Sequence, residues 1–109
     1  MEALAALADP TRRELVALLA RGELAAGELA ARFPVSRPAI SRHLRVLREA
    51  GLVRSRVEGR RRLYALDPRP LWELDDWLAP YRDLWAQRLD ALDTEIARGR
   101  RARRSGETP

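Results

Sequence analysis

At 109 residues the chain has the size of one domain, and a chain of this size buries proportionately less surface than a larger one, so a second copy would supply missing core. It contains no Cys, which excludes disulfides, thiolate metal sites and Cys nucleophiles; no apolar run approaches the roughly 20 residues that cross a bilayer, and Glu2 stands where a secretory leader is positive, so a cytoplasmic protein with no membrane partner is expected. The net charge of +5 is uneven: residues 36–64 hold nine Arg against two acids, residues 65–97 three Arg against eight, and residues 98–109 five Arg against one, which concentrates positive potential in the middle third.

Glu2 to Ala8 reads as a short Ala-rich helix with Leu4 and Leu7 one turn apart, too short to hold without a partner and expected to lie against another subunit. Asp9 and Pro10 open a second helix that closes before Gly22 and carries Leu15, Leu18 and Leu19 on one face. A third helix, about Ala26 to Phe33, turns Leu29 and Phe33 inward and stops at Pro34.

The fourth helix is the most informative. Ser36 is its expected N-cap, Pro38 falls in the first turn where no donor is lost, and Gly51 supplies the left-handed residue after its end. At about 100° per residue Ile40, Leu44 and Leu47 share one arc, while Pro38, Arg42, Arg45 and Glu49 lie opposite. An outward face rich in guanidinium suits phosphate, or the O6 and N7 of guanine in a major groove.

Leu52 to Val57 and Arg61 to Leu66 are strand candidates joined by Glu58-Gly59-Arg60, a β-hairpin on which Val53, Val57 and Leu63 are expected to close the core from one face. Arg54, Arg56, Arg60, Arg61 and Arg62 crowd the same stretch and would repel one another without a polyanion to meet. From Pro70 to about Arg98, Leu71, Leu74, Leu78, Tyr81, Trp85, Leu89, Leu92 and Ile96 recur at steps of three and four, widened by Trp77 and Leu84, a packing stripe longer than a small head needs. Pro80 predicts a kink or a break in it. Residues 98–109, with no large apolar side chain, are expected to form a disordered basic tail beside a folded domain of residues 1–97.

Asp9-Pro-Thr-Arg-Arg13, Glu28-Leu-Ala-Ala-Arg32, the run from Ser36 to Arg45, Glu49-Ala-Gly-Leu-Val53 and Gly59-Arg-Arg-Arg-Leu-Tyr64 together resemble the ArsR/SmtB family of bacterial winged helix-turn-helix repressors, over about residues 2–97. The fold expected is mainly α with a small β-hairpin: four helices, two strands, then a long last helix. The resemblance implies a homodimer, held by the first and last helices, that binds an inverted-repeat operator in double-stranded DNA. The DNA-contacting set is then Ser36, Arg37, Pro38, Ser41, Arg42, His43, Arg45 and Arg48 on the helix, with Arg56, Arg60, Arg61, Arg62 and Tyr64 on the hairpin. The dimer set is Leu4, Leu7, Leu71, Leu74, Trp77, Leu78, Tyr81, Leu84, Trp85, Leu89 and Leu92. His43 suits a phosphate or base contact and a place at a helix seam equally.

Metal-sensing members of that family carry thiols in a stretch that here reads Glu23-Leu-Ala-Ala-Gly27, with Ala25 where the thiol would be. Asp75 and Asp76 on the last helix lack the imidazole that zinc favours, so no metal and no cofactor is expected, and the sequence names no effector. Trp72, Trp77, Tyr81 and Trp85 are read as dimer core in preference to an effector pocket. Without Cys, clustered His or a Gly-rich phosphate loop, an enzyme is not expected. The rival reading is a winged-helix protein-interaction module that uses its last helix and reads no DNA.

Overall fold

The computed structural model describes the backbone of residues 2–107 and the side chains of residues 2–100. The elements in chain order are α1 (Glu2–Ala6), α2 (Pro10–Leu19), β1 (Leu24–Ala25), α3 (Ala26–Ala31), α4 (Arg37–Glu49), β2 (Val53–Glu58), β3 (Arg61–Leu66) and α5 (Arg69–Glu107). The chain divides into two compact units, residues 1–74 and residues 75–109.

The first unit is a helical head closed by a three-stranded antiparallel sheet of order β1-β3-β2. Its core joins Leu15 and Leu19 of α2, Leu29 of α3, Ile40, Leu44 and Leu47 of α4, then Leu52, Val53 and Tyr64. The two-residue β1 is an addition to the expected pair of strands; it sets Leu24 opposite Tyr64 and Ala25 opposite Leu63. A pair of residues carries no readable alternation, so only the partner strand reveals it.

α1, expected to lie against another subunit, buries Ala3 and Ala6 in the core of its own head and packs Leu7 on that core. Two arginines of α2 seal its end: Arg12 Nε donates to the Ala6 carbonyl at 2.6 Å, and Arg13 Nη1 donates to the Leu7 carbonyl at 2.9 Å. These are carbonyls a helix end leaves without an intrahelical donor. α2 itself starts on Asp9, whose carboxylate accepts the Arg12 backbone N–H at 3.1 Å; that bond holds the carboxyl below its ordinary pKa.

The hairpin corrects one expectation. In its register Val53 faces Leu66 and Val57 faces Arg62, whereas Leu63 faces Arg56. Opposed residues share a sheet face, so Leu63 lies on the other face from Val53 and Val57. Val53 is buried, Val57 is 65% exposed, and Leu63 is buried under Ala25 and Arg56 instead. Gly59 takes φ 62 at the first of the two turn residues between Glu58 and Arg61, the position where a II′ turn requires it.

Asp67 joins β3 to α5. Its backbone N–H donates to the Leu52 carbonyl at 2.8 Å, and its nearly buried carboxylate accepts the backbone N–H of Arg69 at 3.1 Å and the Arg69 guanidinium at 2.6 Å. The Arg69 side chain, seconded by that backbone bond, pulls the Asp67 carboxyl down to about 2.

α5 runs on through Pro80 as one helix, so the chain is not broken there, although the ring removes the bond that the Asp76 carbonyl would accept. It continues to Glu107, into the segment expected to be a disordered tail from residue 98; Arg and Ala are strong helix formers, and extending an existing helix avoids a new nucleus. The part of that expectation falling on residues 108 and 109, and on the side chains of residues 101–107, lies outside the described residues. Among the described residues, no helix is long and apolar enough to cross a membrane.

Candidate nucleic-acid interface

α4 is defined at both ends by its own sequence. The Ser36 hydroxyl accepts the Ala39 N–H at 3.3 Å, and Pro38 sits in the first turn. At the other end Gly51 takes φ 77, its N–H donates to the Arg48 carbonyl at 3.0 Å, and the Leu52 N–H donates to the Leu47 carbonyl at 3.0 Å. That pair of bonds is a Schellman closure, and it needs a residue that tolerates positive φ. With Ile40, Leu44 and Leu47 turned into the core, Ser36, Arg37, Pro38, Ser41, Arg42, Arg45 and Arg48 are all exposed. Among the described residues, Arg37, Arg42, Arg45 and Arg48 join no ion pair, so four guanidinium groups keep their full donor capacity toward an external anion.

Two residues of the sequence-derived DNA set lie elsewhere. His43 is half-buried and directs Nδ1 to within 3.4 Å of Arg12 Nη1, at the seam between α4 and α2. Tyr64 is only 7% exposed, because β1 covers it and its strand face turns into the core.

The hairpin arginines separate by sheet face. Arg54, Arg56 and Arg61 share the face that carries Leu63; Arg62 shares the opposite face with Val57 and donates to the Ser55 hydroxyl at 3.3 Å; Arg60 is in the turn. Arg56 is already engaged by Glu23 at 2.6 Å and Glu58 at 2.9 Å, and the Glu23 bond raises its pKa further. Arg61 is engaged by Glu28 at 2.8 Å. Glu28 and Glu23 were missed by sequence reasoning, since both partners lie 33 residues away and no local pattern announces such pairs.

Between the start of α3, the first turns of α4 and the hairpin tip lies an open cleft of about 670 Å³, walled by Gly27, Glu28, Arg37, Ser41, Arg60 and Arg62 among others. Gly27 matters there: a Cβ on it would sit 3.3 Å from Arg37 Nη2. Ala25 caps α3 with no side-chain acceptor, and the only side-chain bond at this cap runs the other way, from the Ala25 N–H to Glu28 Oε1 at 3.3 Å.

Of the sequence-derived dimer set, the head uses several residues itself: Leu74 is buried in its core, and Leu7 and Leu71 pack against that core. Leu4 is 51% exposed. In the second unit Leu78 is half-buried, while Trp77, Tyr81, Leu84, Trp85, Leu89 and Leu92 are exposed, with the Trp77 and Tyr81 rings 5.3 Å apart. Among the described residues, no three His, Asp or Glu side chains gather to hold a metal.

Residues 9–55, from the cap of α2 through Ser55 of β2, match the model of the bacterial regulatory protein family arsR. A transcriptional repressor of Bacillus subtilis, SdpR, is 36% identical over 73 residues, which cover 67% of this chain and 81% of the repressor. An HTH-type transcriptional regulator of Mycobacterium tuberculosis, Rv2034, is 62% identical over 63 residues, covering 58% of this chain and 59% of that relative's length. Among solved structures, a possible transcriptional regulator for arsenical resistance superimposes with a TM-score of 0.68 at 49% identity, over 87% of this chain and 96% of that one. These relatives are regulators and not enzymes, and the family match spans α2, α3, the capped α4 and the start of β2. The chain therefore belongs to the ArsR family of bacterial transcriptional regulators.

Proposed function

We propose that the protein is a cytoplasmic, homodimeric repressor that reads an inverted-repeat operator with α4 and needs no metal to do so. The observation that carries this reading is the outward face of α4, where Arg37, Arg42, Arg45 and Arg48 are exposed and joined to no carboxylate among the described residues. Guanidinium groups on a rigid, doubly capped helix suit guanine edges and phosphates, and Arg60 and Arg62 of the hairpin add contacts to the backbone of the duplex. The exposed apolar run from Trp77 to Leu92 is chemistry that a second copy of the chain would cover. Independence from metal is supported by the lack of Cys and by the engagement of the only His, His43, with Arg12.

The test is binding of the full chain to its own upstream DNA and to a scrambled duplex of equal length, at near-physiological salt, with and without a chelator. A footprint over an inverted repeat, at an affinity the chelator leaves unchanged, is the expected result. Equal binding to both duplexes that vanishes as salt rises would refute operator reading and favour a protein partner for α5.

A further inference from the structure

Glu28 holds two donors on one oxygen: Oε1 accepts the Ala25 N–H at 3.3 Å and Arg61 Nη2 at 2.8 Å. It therefore closes the start of α3 and clasps the hairpin at once. The ion pair is open to water, with side-chain exposures of 63% for Arg61 and 46% for Glu28, so an incoming anion can exchange for it. Its surroundings are cationic: Arg37, Arg60 and Arg62 line the same cleft, and none of them meets a carboxylate among the described residues. One carboxylate thus stands among four guanidinium groups.

We propose that Glu28 is an affinity-setting residue for DNA, an internal anion that occupies Arg61 in the unbound protein and that a backbone phosphate must displace. The inference rests on the DNA-binding reading above and adds to it a residue that no base touches. A phosphate entering the cleft meets an arginine whose electrostatic gain is already partly realised, and it meets the retained charge of Glu28. Both effects weaken binding to every sequence, because phosphates are alike along the duplex. Reading by α4 is untouched, so Glu28 sets how tightly the protein holds DNA and not which DNA it prefers.

Glu28→Gln keeps an oxygen for the Ala25 N–H and removes the charge. The experiment measures affinity for the upstream duplex and the scrambled duplex across a salt series, in the full chain, with and without Arg61→Ala. Glu28→Gln is expected to tighten both duplexes by about two- to fivefold and to steepen the salt dependence by about one counterion. In the Arg61→Ala background the gain should shrink to less than half in log units. Unchanged affinity for Glu28→Gln, or an equal gain without Arg61, would overturn the proposal while leaving the DNA-binding reading intact. Failure of the unsubstituted chain to bind either duplex would overturn both.

Discussion

Arg12→Ala separates an arginine that builds the head from those that face DNA. In the structure its side chain donates to the Ala6 carbonyl at 2.6 Å and approaches His43 Nδ1 at 3.4 Å, so the substitution leaves the Ala6 carbonyl without that donor and loosens the seam between α2 and α4. A hydrogen bond from a charged group contributes about 1.5–3 kcal/mol; partial exposure and the length of the second contact bring the expected loss to roughly 1–2 kcal/mol. In a unit the size of residues 1–74, that lowers the melting temperature by about 4–16 °C. The assay pairs thermal unfolding followed by circular dichroism, at fixed protein concentration, with DNA affinity measured well below the transition. The expected result is a clear drop in melting temperature with operator affinity close to that of the unsubstituted chain. An unaltered melting temperature with lost operator affinity would refute the assignment and put Arg12 at the DNA.

Arg42→Ala is expected to weaken operator binding by about 1–3 kcal/mol with a smaller effect on scrambled DNA, whereas Arg60→Ala should weaken both alike and reduce the salt slope by about one; parallel titrations distinguish them. Trp85 and Leu89 are exposed on a single chain, so replacing both with Glu leaves the head folded but should yield monomers by analytical ultracentrifugation, since like charges would be buried in the paired stripe. The Asp67 carboxyl, depressed to about 2 in the folded chain against 3.8 ordinarily, binds a proton more readily when unfolded. Its stabilising contribution is therefore complete above about pH 4 and lost as pH falls toward 2, a limb that denaturant titrations should find in the unsubstituted chain and find reduced in Asp67→Asn.

Much of the head was legible because its signals are local. Ser36, Pro38 and Gly51 bound α4, and the arc of Ile40, Leu44 and Leu47 is the arc that is buried. What escaped depends on partners far along the chain. β1 exists only because β3 pairs with it, and Tyr64 is buried by β1 beside it and by the core that its strand face meets. Charge counting treated the hairpin arginines as one crowd, yet Glu23 and Glu28 reach across from the approach to α3 and its first turn to claim Arg56 and Arg61. Likewise a short Ala-rich helix looked unsupported until Arg12 and Arg13 were seen to close its end. Side-chain chemistry within a turn or two of its target was readable; side-chain chemistry across the fold was not.

Gly27 gives the reading head a control that lies behind it. Gly27 is the second residue of α3, in its first turn, where the absence of a side chain costs the helix less than it would in a helix interior. In exchange Arg37 lies against a surface with no side chain, only 3.3 Å from where a Cβ would stand. The resting place of the first arginine on α4 is thus set by a residue of a different helix. A methyl group at residue 27 would push the guanidinium of Arg37 by a few tenths of an ångström, so a substitution on α3 shifts the first arginine of α4 without altering α4 itself.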